Sequence, residues 1–82
     1  MFPRIDLHTH SDCSDGLLSP VALVALAAQR QVELLALTDH DTVSGCAAAS
    51  AACAATAVRF VAGVELSCQW REREIHIIGL RL

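Results

Sequence analysis

Apolar positions along the chain fall into short runs separated by polar, turn-forming stretches. The first run, "RIDLH", predicts a short strand and opens onto the polar loop "HTHSDCSDG". Ser19-Pro20 then predicts a helix start, with serine at the N-cap and proline at the first helical position. Val21, Leu23, Val24, Leu26 and Ala27 continue it at helical spacing until the chain turns polar at Gln29-Arg30-Gln31. Leu34 to Thr38 is a continuous apolar run, the pattern of a strand buried on both faces. Asp41 or Thr42 can cap a second helix running through the alanines to about Thr56. "VRFVAGVEL" and "EIHIIGL" predict a third and a fourth strand.

The resulting order, β-α-β-α-β-β, predicts an α/β fold with the first three strands parallel. Right-handed crossovers would bring the strand ends to one edge. The link between the last two strands is short, so those two should pair antiparallel. Nothing caps the sheet after "GLRL", which points to part of a larger domain.

Composition narrows the function classes. The chain has 82 residues and is 54% hydrophobic, which speaks against disorder. Net charge is -3 and all six basic residues are arginine, so no nucleic-acid-coating surface and no stable nucleic-acid complex are expected. "MFPRIDLH" lacks the apolar core of a signal peptide. No apolar run reaches the roughly 18 residues of a membrane span. The expectation is a cytoplasmic protein without membrane contact. Cys13, Cys46, Cys53 and Cys68 form no CxxC pair and read as small buried thiols.

The candidate chemistry lies at the predicted strand ends. His8 and His10 end the first strand, His40 follows the second in "TDHD", Glu65 lies in the third and His76 in the fourth. In α/β folds ligands bind beyond the carboxyl ends of parallel strands, so these side chains should converge. Strand side chains alternate faces, which lets the imidazoles of His8 and His10 approach one metal ion. A turn at Arg71-Glu72 would place Ser67 opposite His76 and Glu65 diagonal to it on the same face. Asp15 is the favoured carboxylate of the opening loop, with Gly16 allowing a sharp turn. Asp12 reads equally as an Asx-type turn residue. Asp6 shares the parity of His8 and His10 and can orient an imidazole, as can Asp39 for a neighbouring histidine. Asp41 reads as the cap of the second helix, Ser11 and Ser14 as loop hydrogen-bonders, and the arginines as solvated charges. Trp70 reads as a rim residue. A competing reading makes Cys13, His8, His10 and His40 a closed structural zinc site. Another is a non-catalytic remnant that packs against a partner.

The motifs "DLHTHSDCSDG", "LTDHDTVSG", "GVELS" and "HIIG" resemble, in order and spacing, the PHP (polymerase and histidinol phosphatase) family. The likeness covers essentially the whole chain. Its first two motifs are similar to those of the bacterial subgroup acting on 3',5'-nucleoside bisphosphates, which includes nucleases trimming 5' ends of RNA. The resemblance implies the N-terminal portion of a distorted (β/α)7, TIM-like barrel, with residues 1–82 as part of a single domain. It implies up to three divalent ions (Mn, Fe or Zn). His8, His10 and Glu65 would hold one, Glu65 and His76 a second, and Asp15 and His40 the third. The implied reaction is phosphomonoester hydrolysis by an activated, metal-bound hydroxide, with Asp15, His40 and Glu65 catalytic and Asp15 and His40 also contacting substrate. Nucleoside bisphosphates and short RNA are the implied substrates; histidinol-phosphate hydrolysis and polymerase-associated exonuclease activity share the same motifs. The family completes its site with later residues, so this chain alone is expected to be poorly active or inactive.

Overall fold

The computed structural model describes residues 4–81. The first three residues of the "MFPRIDLH" stretch and the last of "GLRL" lie outside them. The elements are β1 (Ile5–Thr9), α1 (Pro20–Gln29), β2 (Leu34–Leu37), α2 (Cys46–Ala54), β3 (Arg59–Trp70) and β4 (Arg73–Leu80). They form one curled sheet in the order β1-β2-β3-β4. β1–β2 and β2–β3 are parallel and β3–β4 is antiparallel, the α/β arrangement expected from the sequence. Among the described residues no helix is long and apolar enough to cross a membrane.

Both helices pack on one face of the sheet. Val24 and Ala27 of α1, Leu35 and Leu37 of β2, and Ala49 and Cys53 of α2 form the core with Val58. Burying each of the larger aliphatic side chains contributes about 1.5–3 kcal/mol. Ser19 caps α1 as expected, its Oγ accepting the Ala22 N–H at 3.1 Å. α2 starts later than expected and Asp41 does not cap it. Gly45 is its N-cap and no side chain caps it. Between β2 and α2 the chain instead turns through Thr42, whose Oγ1 accepts the Ser44 N–H at 3.1 Å. The alanines that follow suit a helix lying close on the sheet, because alanine has the highest helix propensity and the smallest side chain that still has one.

The β3–β4 hairpin has the expected register. Ser67 pairs with His76 and Glu65 with Ile78, across a two-residue turn at Arg71-Glu72. That turn lacks glycine, and Arg71 takes the left-handed conformation itself, at φ 57°. Its guanidinium lies 4.5 Å from the Trp70 ring centroid, and Trp70 stays exposed at the hairpin tip. The cysteines divide: Cys53 is buried and Cys46 half-buried, but Cys13 and Cys68 are exposed, against the expectation of buried thiols. Cys13 lies within a polar loop, and Cys68 lies on the exposed stretch of β3.

Candidate metal centre

The strand ends converge on Glu65. This carboxylate is only 5% exposed, yet each of its oxygens meets histidine. Oε1 lies 2.5 Å from His8 Nε2 and 2.9 Å from His10 Nε2. Oε2 lies 2.7 Å from His76 Nδ1 and 3.8 Å from His40 Nδ1. Asp15 closes the other side, 2.7 Å from His10 Nδ1 and 3.1 Å from His40 Nε2. Burial opposes ionisation of Glu65, but hydrogen bonds from His8 and His76 and the charge of His40 outweigh it and hold the carboxyl below its usual range. The His10 hydrogen bond similarly lowers Asp15.

The donors form three groups whose ligand atoms lie within 4.8 Å of one another: His8–His10–Glu65, His10–Asp15–His40 and His40–Glu65–His76. His10 and His40 thus each belong to two groups, where the family resemblance implies one for each. Their chemistry fits divalent cations. His8 Nε2 and His10 Nε2 lie 3.0 Å apart, and Glu65 Oε1 is within 2.9 Å of both. Both ring nitrogens of His10 face carboxylates, Nδ1 that of Asp15 and Nε2 that of Glu65, a mixed nitrogen and oxygen donor set of the kind divalent cations take. Among the described residues, every ion pair of Glu65 and Asp15 is with histidine. None of the three groups includes Cys13, so the closed cysteine-zinc arrangement is not assembled.

Two neighbouring aspartates act differently from expectation. Asp6 pairs with Leu35 and Thr9 with Leu37, so β1 carries one extra residue between them. The bulge resets the alternation. Asp6 therefore falls with Thr9 on the side lined by Leu23 and Ala27 of α1. Its Oδ1 accepts the backbone N–H of His8 rather than orienting an imidazole. Asp39 orients no histidine either. It is 1% exposed and accepts from the Ser11 N–H at 2.5 Å, the Ser11 hydroxyl at 2.6 Å and the Ser14 hydroxyl at 2.9 Å. Ser11 and Ser14 are the loop hydrogen-bonders expected, and Asp39 fixes the loop that carries His10 and Asp15 onto the end of β2.

Gly16 serves this loop by close approach. Its φ is not in the left-handed region, but an added Cβ would run into the carbonyl groups of His10 and Ser11, the latter at 2.9 Å. Asp12 is exposed and belongs to none of the three groups; its N–H donates to Leu18 O at 2.7 Å. Glu74, absent from the residues expected at the site, places Oε1 3.3 Å from His76 Nε2. Its position two residues before His76 on one strand was the available signal.

Known proteins resemble this chain in sequence and in fold. The chain is 50% identical over 77 residues to a 3',5'-nucleoside bisphosphate phosphatase of Chromobacterium violaceum, covering 94% of this chain and 27% of that protein. It is 46% identical over 80 residues to a 5'-3' exoribonuclease of Haemophilus influenzae, covering 98% and 29%. A Bifidobacterium adolescentis crystal structure, proposed to be a metal-dependent phosphoesterase, superposes with a TM-score of 0.86 at 28% identity, covering 93% of this chain and 27% of that one. The chain thus spans under a third of the length of the relatives it matches. With the PHP domain model matching residues 6–81, the chain belongs to the PHP domain family.

Proposed function

We propose that these residues form the N-terminal part of a PHP domain that hydrolyses the 3'-phosphate of 3',5'-nucleoside bisphosphates, leaving a nucleoside 5'-phosphate. His8, His10, Asp15, His40, Glu65 and His76 would hold up to three divalent ions of the manganese, iron or zinc type. The observation that carries this reading is Glu65, a buried carboxylate whose two oxygens are turned to separate histidine groups. Bound divalent ions supply an acidified water near neutral pH and neutralise charge on the phosphoryl oxygens.

The chain's own residues set the conditions for that chemistry. Glu65 forms the buried floor, while the more exposed side chains of His8, Asp15 and His76 surround it. Asp15 and His40 face each other at the solvent side, where a phosphoryl group would approach. Held ionised, Asp15 and Glu65 keep their oxygens free of protons and available as ligands or proton acceptors. A covalent serine route is disfavoured: Ser11 is fully buried, and the Ser11 and Ser14 hydroxyls both donate to Asp39. Phosphodiester cleavage at the 5' end of short RNA is a second reading, favoured by the 46% identity to an exoribonuclease. We expect the protein to work on soluble nucleotides in the cytoplasm.

The test compares phosphate release from adenosine 3',5'-bisphosphate and histidinol phosphate with mononucleotide release from 5'-phosphorylated RNA, with Mn2+ supplied. It uses the 82-residue chain and the complete gene product that contains it. Bisphosphate turnover by the complete product, with little by the chain alone, supports the reading. Preferential turnover of histidinol phosphate overturns the substrate, and full activity of the short chain overturns the partial-domain reading.

A further inference from the structure

Asp41 occupies an unusual place in the sheet. Beyond the end of β2, the parallel ladder to β3 continues for one bridge, between His40 and Glu65. Its two bonds are Glu65 N–H to Asp39 O at 2.9 Å and Asp41 N–H to Glu65 O at 2.8 Å. The next bond of a regular parallel ladder would run from Ser67 N–H to the Asp41 carbonyl. Asp41 instead turns left-handed, at φ 54°, and the chain departs toward α2. Ser67 N–H donates to Asp41 Oδ1 at 3.0 Å. The side chain therefore replaces its own carbonyl and extends the ladder by one bond. Aspartate and asparagine suit this position because they tolerate the left-handed conformation and carry an acceptor.

That bond sits at a mechanical boundary. Residues 66–70 of β3 are exposed, and among the described residues the strand past Glu65 is paired with β4 alone. Ser67 is the cross-strand partner of His76. The Asp41–Ser67 bond is thus the last tie between the hairpin bearing His76 and the segment bearing His40. The His40 and His76 ring centroids are 5.7 Å apart, with Glu65 Oε2 between them.

We propose that Asp41 is a positioning residue for the His40–Glu65–His76 group, holding Ser67 and its partner His76 at ligand distance from His40. The metal-binding part of this inference rests on the reading given under Proposed function. Variants of the 82-residue chain separate the contributions. Asp41→Asn keeps the acceptor and the backbone conformation, Asp41→Gly keeps only the conformation, and Asp41→Ala keeps neither. Ring-nitrogen NMR of His76 and His8 follows titration with Zn2+ alone, and amide exchange reads the Ser67 N–H. In Asp41→Gly, Ser67 exchange accelerates, the His76 resonances shift before metal is added, and Zn2+ binding at His76 weakens about 10–100-fold. Asp41→Asn stays within about threefold of the original, a rescue that a generic loss of stability would not give. Unchanged His76 binding in Asp41→Gly, or equal weakening in Asp41→Asn, overturns the proposal. If the original chain binds no Zn2+, the metal reading fails; the brace is then decided by the metal-free His76 resonances, and no shift in Asp41→Gly overturns it. Should Asp41→Ala not fold, Asp41→Gly carries the test.

Discussion

Oε2 of Glu65 lies 2.7 Å from Nδ1 of His76, although the two residues are not cross-strand partners. Glu65 pairs with Ile78 and His76 with Ser67, so the contact is a diagonal across the hairpin. A slip of one residue would send His76 to the opposite face and dismantle one of the three ligand groups. The tight turn at Arg71-Glu72 is therefore part of the site, although it touches none of the ligands.

His10 and His8 should not be equivalent. His10 belongs to two ligand groups and His8 to one. His10→Ala should lower bound Mn2+ per chain further than His8→Ala does, as measured by elemental analysis after equilibration. Equal losses would contradict the shared role of His10.

Acid should unfold the metal-free protein partly through Asp15 and Glu65. Both carboxyls titrate below their ordinary values in the folded state. Their stabilisation is present above the unfolded values of about 3.9 and 4.3 and is lost as pH falls through the lower folded values. Denaturant midpoints measured between pH 2 and 6 should therefore rise with pH, and the slope should flatten in Glu65→Gln. An unchanged slope in that variant would remove Glu65 from the effect.

Gly16→Ala should destabilise the chain by about 1–3 kcal/mol, because the new methyl group meets backbone carbonyls that cannot move aside cheaply. Denaturant unfolding measures this. A neutral result would mean that the loop can relax away from His10 and Ser11.

Cys13→Ser should leave metal binding unchanged, since Cys13 joins none of the ligand groups. Loss of bound metal in this variant, read by elemental analysis, would revive the structural-zinc alternative. Asp39→Ala should cost at least about 1–3 kcal/mol through the buried Ser11 N–H left without an acceptor.

Element order, strand directions, the Ser19 cap and the hairpin register were legible in the sequence because each follows from local pattern or loop length. The gathering of His8, His10, His40, Glu65 and His76 at one edge followed from the same topology, whereas Asp15 reaches the site on the opening loop. What escaped was irregular. The extra residue in β1 carries Asp6 off the histidine face, and no pattern in "RIDLHT" marks a bulge. Asp41 looks like a helix cap because aspartate before a helical run usually is one. Here its left-handed backbone and the open edge of β3 give the carboxylate another partner. Asp39 lies in a run that reads as polar loop, yet three donors allow it to be buried.

The central claim is that Glu65 joins two metal groups, and calorimetric titration of the 82-residue chain with Mn2+ tests it most directly. The original chain should bind more than one ion. Glu65→Gln should disable both groups that contain Glu65 and leave at most the His10–Asp15–His40 group, with binding at least about 10-fold weaker overall. Equal stoichiometry and affinity in the two proteins would contradict the account.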